Sequence, residues 1–265
     1  MYSLRLKCKA EEVDLLSGEL WEEGTAGIRE LQVGDGIELI AGFETNSDRA
    51  RLLARFANRD TTWTQEDATD WVMATQQSWP GRLIGQSIFL APPWCNNDTP
   101  PGRLRIVHNP GLACGTGEHP CTQLALAALE SANVTDKTVL DIGTGSGVLA
   151  IAALRLGARR AVGVDPDEAA LRAARENFAL NDLPALLAAG SAECLGDESA
   201  EVTVANISGT VLLSVADDLL RICTQHGILI LTGFTEHELP PMKAIFGNGV
   251  VTSCDEWRCL RVQIS

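Results

Sequence analysis

The stretch "TVLDIGTGSGVLA", residues 138–150, begins with aliphatic and β-branched residues, turns on three glycines and continues into "VLAIAALRLGA". That order predicts a buried strand, a tight turn at Gly143, Gly145 and Gly147, and a helix. A strand that leads through glycines to a helix start leaves backbone N–H groups unpaired at its carboxyl end, where a small ligand can sit. The spacing is G-x-G-x-G. A dinucleotide fingerprint requires G-x-G-x-x-G, whose last position here is Val148, so pyrophosphate cradling is disfavoured. The next strand, "AVGVD", ends at Asp165, twenty-two residues after Gly143. A carboxylate there can accept hydrogen bonds from both ribose hydroxyls of an adenosine, while Asp167 is available to cap the helix that follows.

Outward from this stretch, apolar strands alternate with amphipathic helices from Arg105 onward: "RAVGVD", "EAALRAARENFALN", "ALLAAG", "VTVANI", "TVLLSVADDLLRICT" and "GILILTGF". Such alternation specifies a doubly wound, mostly parallel α/β sheet covered on both faces. The last two strands, in "GVVTSCDEW" and "RCLRVQIS", have no helix between them and are expected to form an antiparallel hairpin at one edge. Toward the N-terminus, "YSLRLKCKA", "AEEVDLLSGELWEEG", "AGIRELQV", "GIELIAGF" and "NSDRARLLARFAN" read as βαββα, with a further strand near "TTWTQ". This predicts a small α+β unit of the ferredoxin-like kind, a fold that assigns no function. The expected division is an N-terminal recognition domain over 1–62, a linker over 63–104 and a catalytic domain over 105–265. In the linker, Trp63, Trp71, Trp79 and Trp94 are expected to pack against the second domain; few Lys or Arg are interleaved with them, which disfavours a nucleic-acid stacking platform.

The 265 residues are 45% hydrophobic, enough for a sizeable core. With 35 acidic against 21 basic residues the formal charge is −14, which disfavours nucleic acid and suits a basic partner. No apolar run approaches the roughly 20 residues of a membrane helix, and the N-terminus lacks the apolar block of a secretory signal, so a cytoplasmic protein without membrane contact is expected. Eight cysteines form no C-x-x-C pair and no zinc spacing, so neither disulfides nor a metal is expected.

About twenty residues before the glycine turn lies "NPGLACGTGEHPCT", residues 109–122. Its glycines permit close backbone approach to another surface, and read alone it is as readily a surface turn as a pocket wall. Taken together, "LDIGTGSGVLAIAALRLGA" and "GVDPD" resemble the first two motifs of the S-adenosylmethionine-dependent methyltransferases of class I, Rossmann-like proteins with a seven-stranded sheet. The loop is similar to the signature, ending G-x-G-T-H-P-T-T, of the family of lysine methyltransferases that modify the L-eleven protein of the large ribosomal subunit. The connector "DWVMATQQSWPGRLIGQSIFLAPPW", the strand end "VANI" and the closing "CDEWRCLRVQI" agree, so the resemblance spans nearly the whole chain and is strongest over 109–209.

The resemblance implies S-adenosylmethionine as cofactor, held by Thr122, Gly143, Asp165 and Asn206, with Gly145 and the loop residues Gly115 and Thr116 in the same pocket. It implies transfer to lysine amino groups, and to an N-terminal amine, of a basic ribosomal protein by a monomeric enzyme. Asn206 is the implied catalytic residue, its amide oxygen receiving the attacking nitrogen. Asn206 is followed by Ile207, Ser208 and Gly209 instead of two prolines and an aromatic residue, which argues against a stacked nucleobase and leaves room for an aliphatic chain. Glu118, Cys121 and Cys114 depart from the family pattern and bear on substrate choice. His119 is open to two readings, base or structural hydrogen-bonder. A different protein or small-molecule target, and a non-catalytic cofactor-binding module, are the competing readings.

Overall fold

The computed structural model describes residues 2–9, 12–25, 27–34, 36–43, 45–65, 81–109 and 119–264. It divides into two compact units, Met1–Trp79 and Pro80–Ser265.

The first unit is built from β1 (Tyr2–Cys8), α1 (Val13–Glu22), β2 (Gly27–Val33), β3 (Gly36–Phe43), α2 (Arg49–Arg55) and β4 (Thr61–Gln65). The strands form one antiparallel sheet in the order β2-β3-β1-β4. This is the βαββαβ arrangement expected from the strand and helix periods. Alternate strand residues Leu4, Leu6, Leu39, Ala41 and Phe43 meet Leu16, Leu20, Leu52 and Phe56 from the two helices in one buried cluster. Trp63 differs from its expected place. It lies on β4, stacks on Phe43 at 5.6 Å and on Tyr2 at 6.0 Å, and donates its indole N–H to Asn46 Oδ1 at 2.9 Å. It belongs to this unit's own core because the period of β4 turns it inward toward β1. Trp71 and Trp79 lie outside the described residues.

The second unit starts with a small sheet, β5 (Arg82–Ile84), β6 (Ile88–Ala91) and β7 (Leu104–Val107), with β6 and β7 parallel. The span read as a linker thus carries strand residues of both units. Between β6 and β7 the proline-rich segment is held by Arg105, which donates to the carbonyls of Cys95 and Asn97 and lies 5.5 Å over the Phe89 ring.

Next come α3 (Pro120–Ser131), β8 (Thr138–Ile142), α4 (Val148–Arg155), β9 (Arg160–Asp165), α5 (Glu168–Leu180), β10 (Leu187–Ala189) and β11 (Ala200–Asn206). The chain closes with α6 (Gly209–Ser214), α7 (Ala216–Ile222), β12 (Cys223–Thr235), α8 (Leu239–Phe246), β13 (Val250–Cys254) and β14 (Trp257–Gln263). The strand order is β10-β9-β8-β11-β12-β14-β13. Pairings from β10 through β12 are parallel, and β14 enters antiparallel between β12 and β13, forming the expected hairpin. Side chains alternate between two cores: Val139, Val204 and Ile230 face α3 and α4, while Leu140, Ala205 and Leu231 face α6 to α8. Helices on opposite faces after β8 and β11, which are neighbours, make the gap between those two strands the topological switch point, where open α/β sheets bind ligands.

One backbone detail shapes that gap. The β12–β14 register shifts between Thr232 and Phe234, at Gly233, whose φ is +97°. A Cβ on Gly233 would stand 2.2 Å from the carbonyl oxygen of Ile207. Both the left-handed backbone and the contact exclude a side chain. Gly233→Ala is therefore expected to destabilise the unit by at least about 2 kcal/mol in urea denaturation; an unchanged midpoint would show that the Ile207 backbone yields freely.

Candidate active site

The glycine turn after β8 has three left-handed residues, with φ of +70° at Gly143, +54° at Gly145 and +82° at Gly147. Such angles are strained for any residue with a Cβ, which is why the turn is written in glycine. Gly143 and Thr144 donate their N–H groups to the Val164 carbonyl at 2.8 and 3.0 Å, tying the turn to the end of β9. A Cβ at Gly143 would lie 2.3 Å from Ile207 Cγ2, so the turn also touches the residue that follows Asn206.

Asp165 ends β9 and is 9% exposed. Its Oδ2 accepts the Gly145 N–H at 2.9 Å and its Oδ1 accepts the Asp167 N–H at 3.0 Å. An ionised carboxylate has about four lone-pair sites, so two such bonds leave one site on each oxygen. Capping of α5 falls to Asp167, whose side chain accepts the Ala169 N–H at 2.8 Å. Asp165 is therefore not consumed as a helix cap.

Asn206 ends β11, across the switch point, and its Nδ2 donates to Thr122 Oγ1 at 3.3 Å. Thr122 is buried in the first turn of α3. That helix starts with Pro120 and is capped by His119, whose Nδ1 accepts the Cys121 N–H at 3.3 Å. The His119 ring also meets Trp257 edge-on at 4.7 Å. With Nδ1 engaged as the helix cap, the structural reading of His119 is the one its contacts support. Cys121 is buried, and burial holds its thiol above the ordinary cysteine range, with the Thr232 side chain and Gly233 backbone beside it. Its departure from the family threonine is thus packed inside. Thr122, Gly143, Gly145, Asp165 and Asn206 converge on the carboxyl ends of β8, β9 and β11. Gly115, Thr116, Cys114 and Glu118 lie outside the described residues.

Asp141 was not singled out among the candidate residues above. It sits on β8, is fully buried, and its Oδ2 accepts from Thr144 Oγ1 at 2.7 Å and from the Ala150 N–H at 3.1 Å. It thereby caps α4, whose own N-cap, Gly147, has no side chain. Its Oδ1 has no hydrogen-bond partner among the described residues. Burial pushes the Asp141 carboxyl up to about 7, with Asp165 adding to the rise and the two hydrogen bonds opposing it. The available signal was one acid inside an otherwise apolar parallel strand, where an unpaired charge is costly.

The arrangement offers a polar ligand a carboxylate with acceptor sites left over, backbone approached closely at the glycine turn, and a hydrogen-bonded amide and hydroxyl at the end of β11. The family model described as "Ribosomal protein L11 methyltransferase (PrmA)" matches residues 6–264. A protein named ribosomal protein L11 methyltransferase from Geobacter metallireducens is 40% identical over 200 residues, 73% of this chain and 66% of that protein. Proteins of the same name from Alteromonas mediterranea and Pseudomonas aeruginosa are 31% identical over 230 residues and 35% over 215, covering 78% and 73% of their own lengths. The solved structure of the ribosomal protein L11 methylase from Lactobacillus delbrueckii subsp. bulgaricus superposes with a TM-score of 0.65 at 29% identity, covering 71% of this chain and all of that one. On the family match and the identity of these relatives, this chain belongs to the ribosomal protein L11 methyltransferase family.

Proposed function

We propose that this protein transfers methyl groups from S-adenosylmethionine to lysine side chains, and to the N-terminal amine, of ribosomal protein L11 or a similarly basic protein. The observation that carries the reading is the meeting of the glycine turn, the Asp165 carboxylate and the Thr122–Asn206 pair at the switch point of a seven-stranded sheet. The fit to the donor is direct: Asp165 keeps acceptor sites for two ribose hydroxyls, and the glycine turn, tied by its own N–H groups to Val164 and Asp165, brings bare backbone up beside that carboxylate. When bound, the donor supplies a methyl group carried on a positively charged sulfur.

The chain's own task is to present a neutral amine in line. A free lysine has a pKa near 10.4, so neutralising it at pH 7 costs about 4.6 kcal/mol. Burial of the lysine tip and a neighbouring positive charge both lower that cost, so no strong base is required. The amide of Asn206, fixed through its Nδ2 to Thr122, turns its oxygen toward the incoming N–H and holds the nitrogen in the attack direction. The net charge of −14 favours encounter with a basic substrate, which the N-terminal unit is proposed to dock. No helix among the described residues is long and apolar enough to cross a membrane. A monomer working in the cytoplasm, without nucleic acid or metal, completes the proposal.

The test is incubation of the purified protein with labelled S-adenosylmethionine and unmethylated ribosomal protein L11, followed by peptide mass spectrometry. Methylated lysines on L11 are expected. Label entering a different protein of a lysate, with none on L11, would replace the target; no transfer to any acceptor would reject the enzyme and leave a binding module.

A further inference from the structure

Helix α5 carries Asn177 in its last turn and ends on Asn181 as its C-cap, two asparagines four positions apart and each 1% exposed. Asparagine is a poor helix former, and a buried amide is costly unless its donors and acceptor are met. Both amides are met by one strand edge. Asn181 accepts the Val107 N–H at 2.9 Å and donates to the Val107 carbonyl at 2.6 Å; Asn177 accepts the Asn109 N–H at 2.8 Å and donates to the Asn109 carbonyl at 3.2 Å. Residues four apart on a helix are about 6 Å apart along its axis, and alternate residues of a strand are about 6.6 Å apart. The two side chains therefore stand in for a neighbouring strand at the last residue of β7, Val107, and at Asn109 two residues beyond it, while β7 pairs with β6 on its other side.

The amides differ in what their second hydrogen does. Asn181 donates it back to the Asn177 carbonyl at 2.8 Å, in the last turn of α5. Asn177 donates it to the Ser146 carbonyl at 3.0 Å, inside the glycine turn between Gly145 and Gly147. Edge protection alone explains Asn181. It does not explain why one amide spans α5, the end of β7 and the turn that faces Asp165.

We infer that Asn177 is a positioning residue for the methyl-donor pocket, clamping the Ser146 carbonyl of the glycine turn to the backbone of Asn109. The inference rests on the function proposed above. Clamping fixes the Ser146–Gly147 peptide, one residue beyond the Gly145 whose N–H meets Asp165, so the carboxylate and the turn keep one geometry whether or not a ligand is bound. Such preorganisation strengthens binding by removing an ordering cost.

Matched variants separate the clamp from the edge. Asn177→Ala and Asn181→Ala each delete three hydrogen bonds at equally buried sites, so similar losses of thermal stability are expected. Titration calorimetry with S-adenosylmethionine on the full chain is expected to give about a tenfold higher Kd for Asn177→Ala and a change within about twofold for Asn181→Ala. If either alanine variant does not fold, Asn177→Ser and Asn181→Ser, which keep one donor, are compared in the same way, with the same ordering expected. Equal weakening in the two variants, or none in either, overturns this assignment while leaving the function in place. A wild-type protein without measurable affinity for the donor overturns both.

Discussion

Replacing Asp165 by alanine is expected to weaken S-adenosylmethionine binding on the order of a hundredfold in titration calorimetry. Hydrogen bonds to a charged group contribute about 1.5–3 kcal/mol each, and the proposed contact to the ribose makes two of them. Even the lower figure for both sums to about 3 kcal/mol, or roughly two decades in Kd. The side chain also accepts the Gly145 N–H at 2.9 Å and the Asp167 N–H at 3.0 Å, so alanine loosens the turn as well as removing the ribose contact. Asp165→Asn keeps one acceptor oxygen but sets its NH2 against one of the two backbone N–H groups, so an affinity between those of the wild type and Asp165→Ala is expected, with a Tm below that of the wild type. Unchanged affinity in Asp165→Ala would remove the adenosine contact from the proposal and, with it, the reading of this crevice as the donor site.

Much of this architecture was legible because apolar period and turn chemistry agree. The strand "TVLDI" and the glycines after it, the strand ending at Asp165, and the closing hairpin are local signals that the tertiary fold reinforces. Helix α8 leaves a quieter mark in the sequence. It follows a capping box in which Thr235 and Glu238 satisfy each other's backbone groups, and its first turn holds Pro240 and Pro241. Those prolines look like a loop until they are read as first-turn residues, where a missing N–H costs nothing. The small sheet β5 to β7 escaped because its strands are three or four residues long and flanked by proline-rich sequence, below the length at which alternation shows. Spacing gave the candidate site its glycines and Asp165, and the family resemblance gave Asn206, but neither gave the partners that orient them. That Asn206 meets Thr122 across 84 positions, or that Asn177 reaches both Asn109 and Ser146, is a property of the folded sheet and not of any local pattern.

The buried acid on β8 carries the last prediction, a stability that falls as pH rises toward neutrality. The carboxyl of Asp141 goes from an ordinary value of 3.8 to about 7 in the folded protein, burial being the first cause. Between those values the folded state holds a proton that the unfolded chain has released, so the group's contribution to stability is whole below about pH 4 and is lost as pH climbs through about 7. About three units at 1.36 kcal/mol each make the full loss about 4 kcal/mol, of which about 3 kcal/mol falls between pH 5 and pH 8. Asp141→Asn removes the titration while retaining an oxygen for the Thr144 hydroxyl and the Ala150 N–H. The amide hydrogens then occupy the place of Oδ1, much as the carboxyl proton does in the acid form. Urea denaturation at pH 5 and pH 8 is expected to show a smaller decline for the variant than for the wild type, by about 3 kcal/mol, since every other titrating group is common to both. Parallel declines would mean that Asp141 keeps its charge in the folded protein, and its unpartnered oxygen would then have to be met by a donor from solvent or ligand.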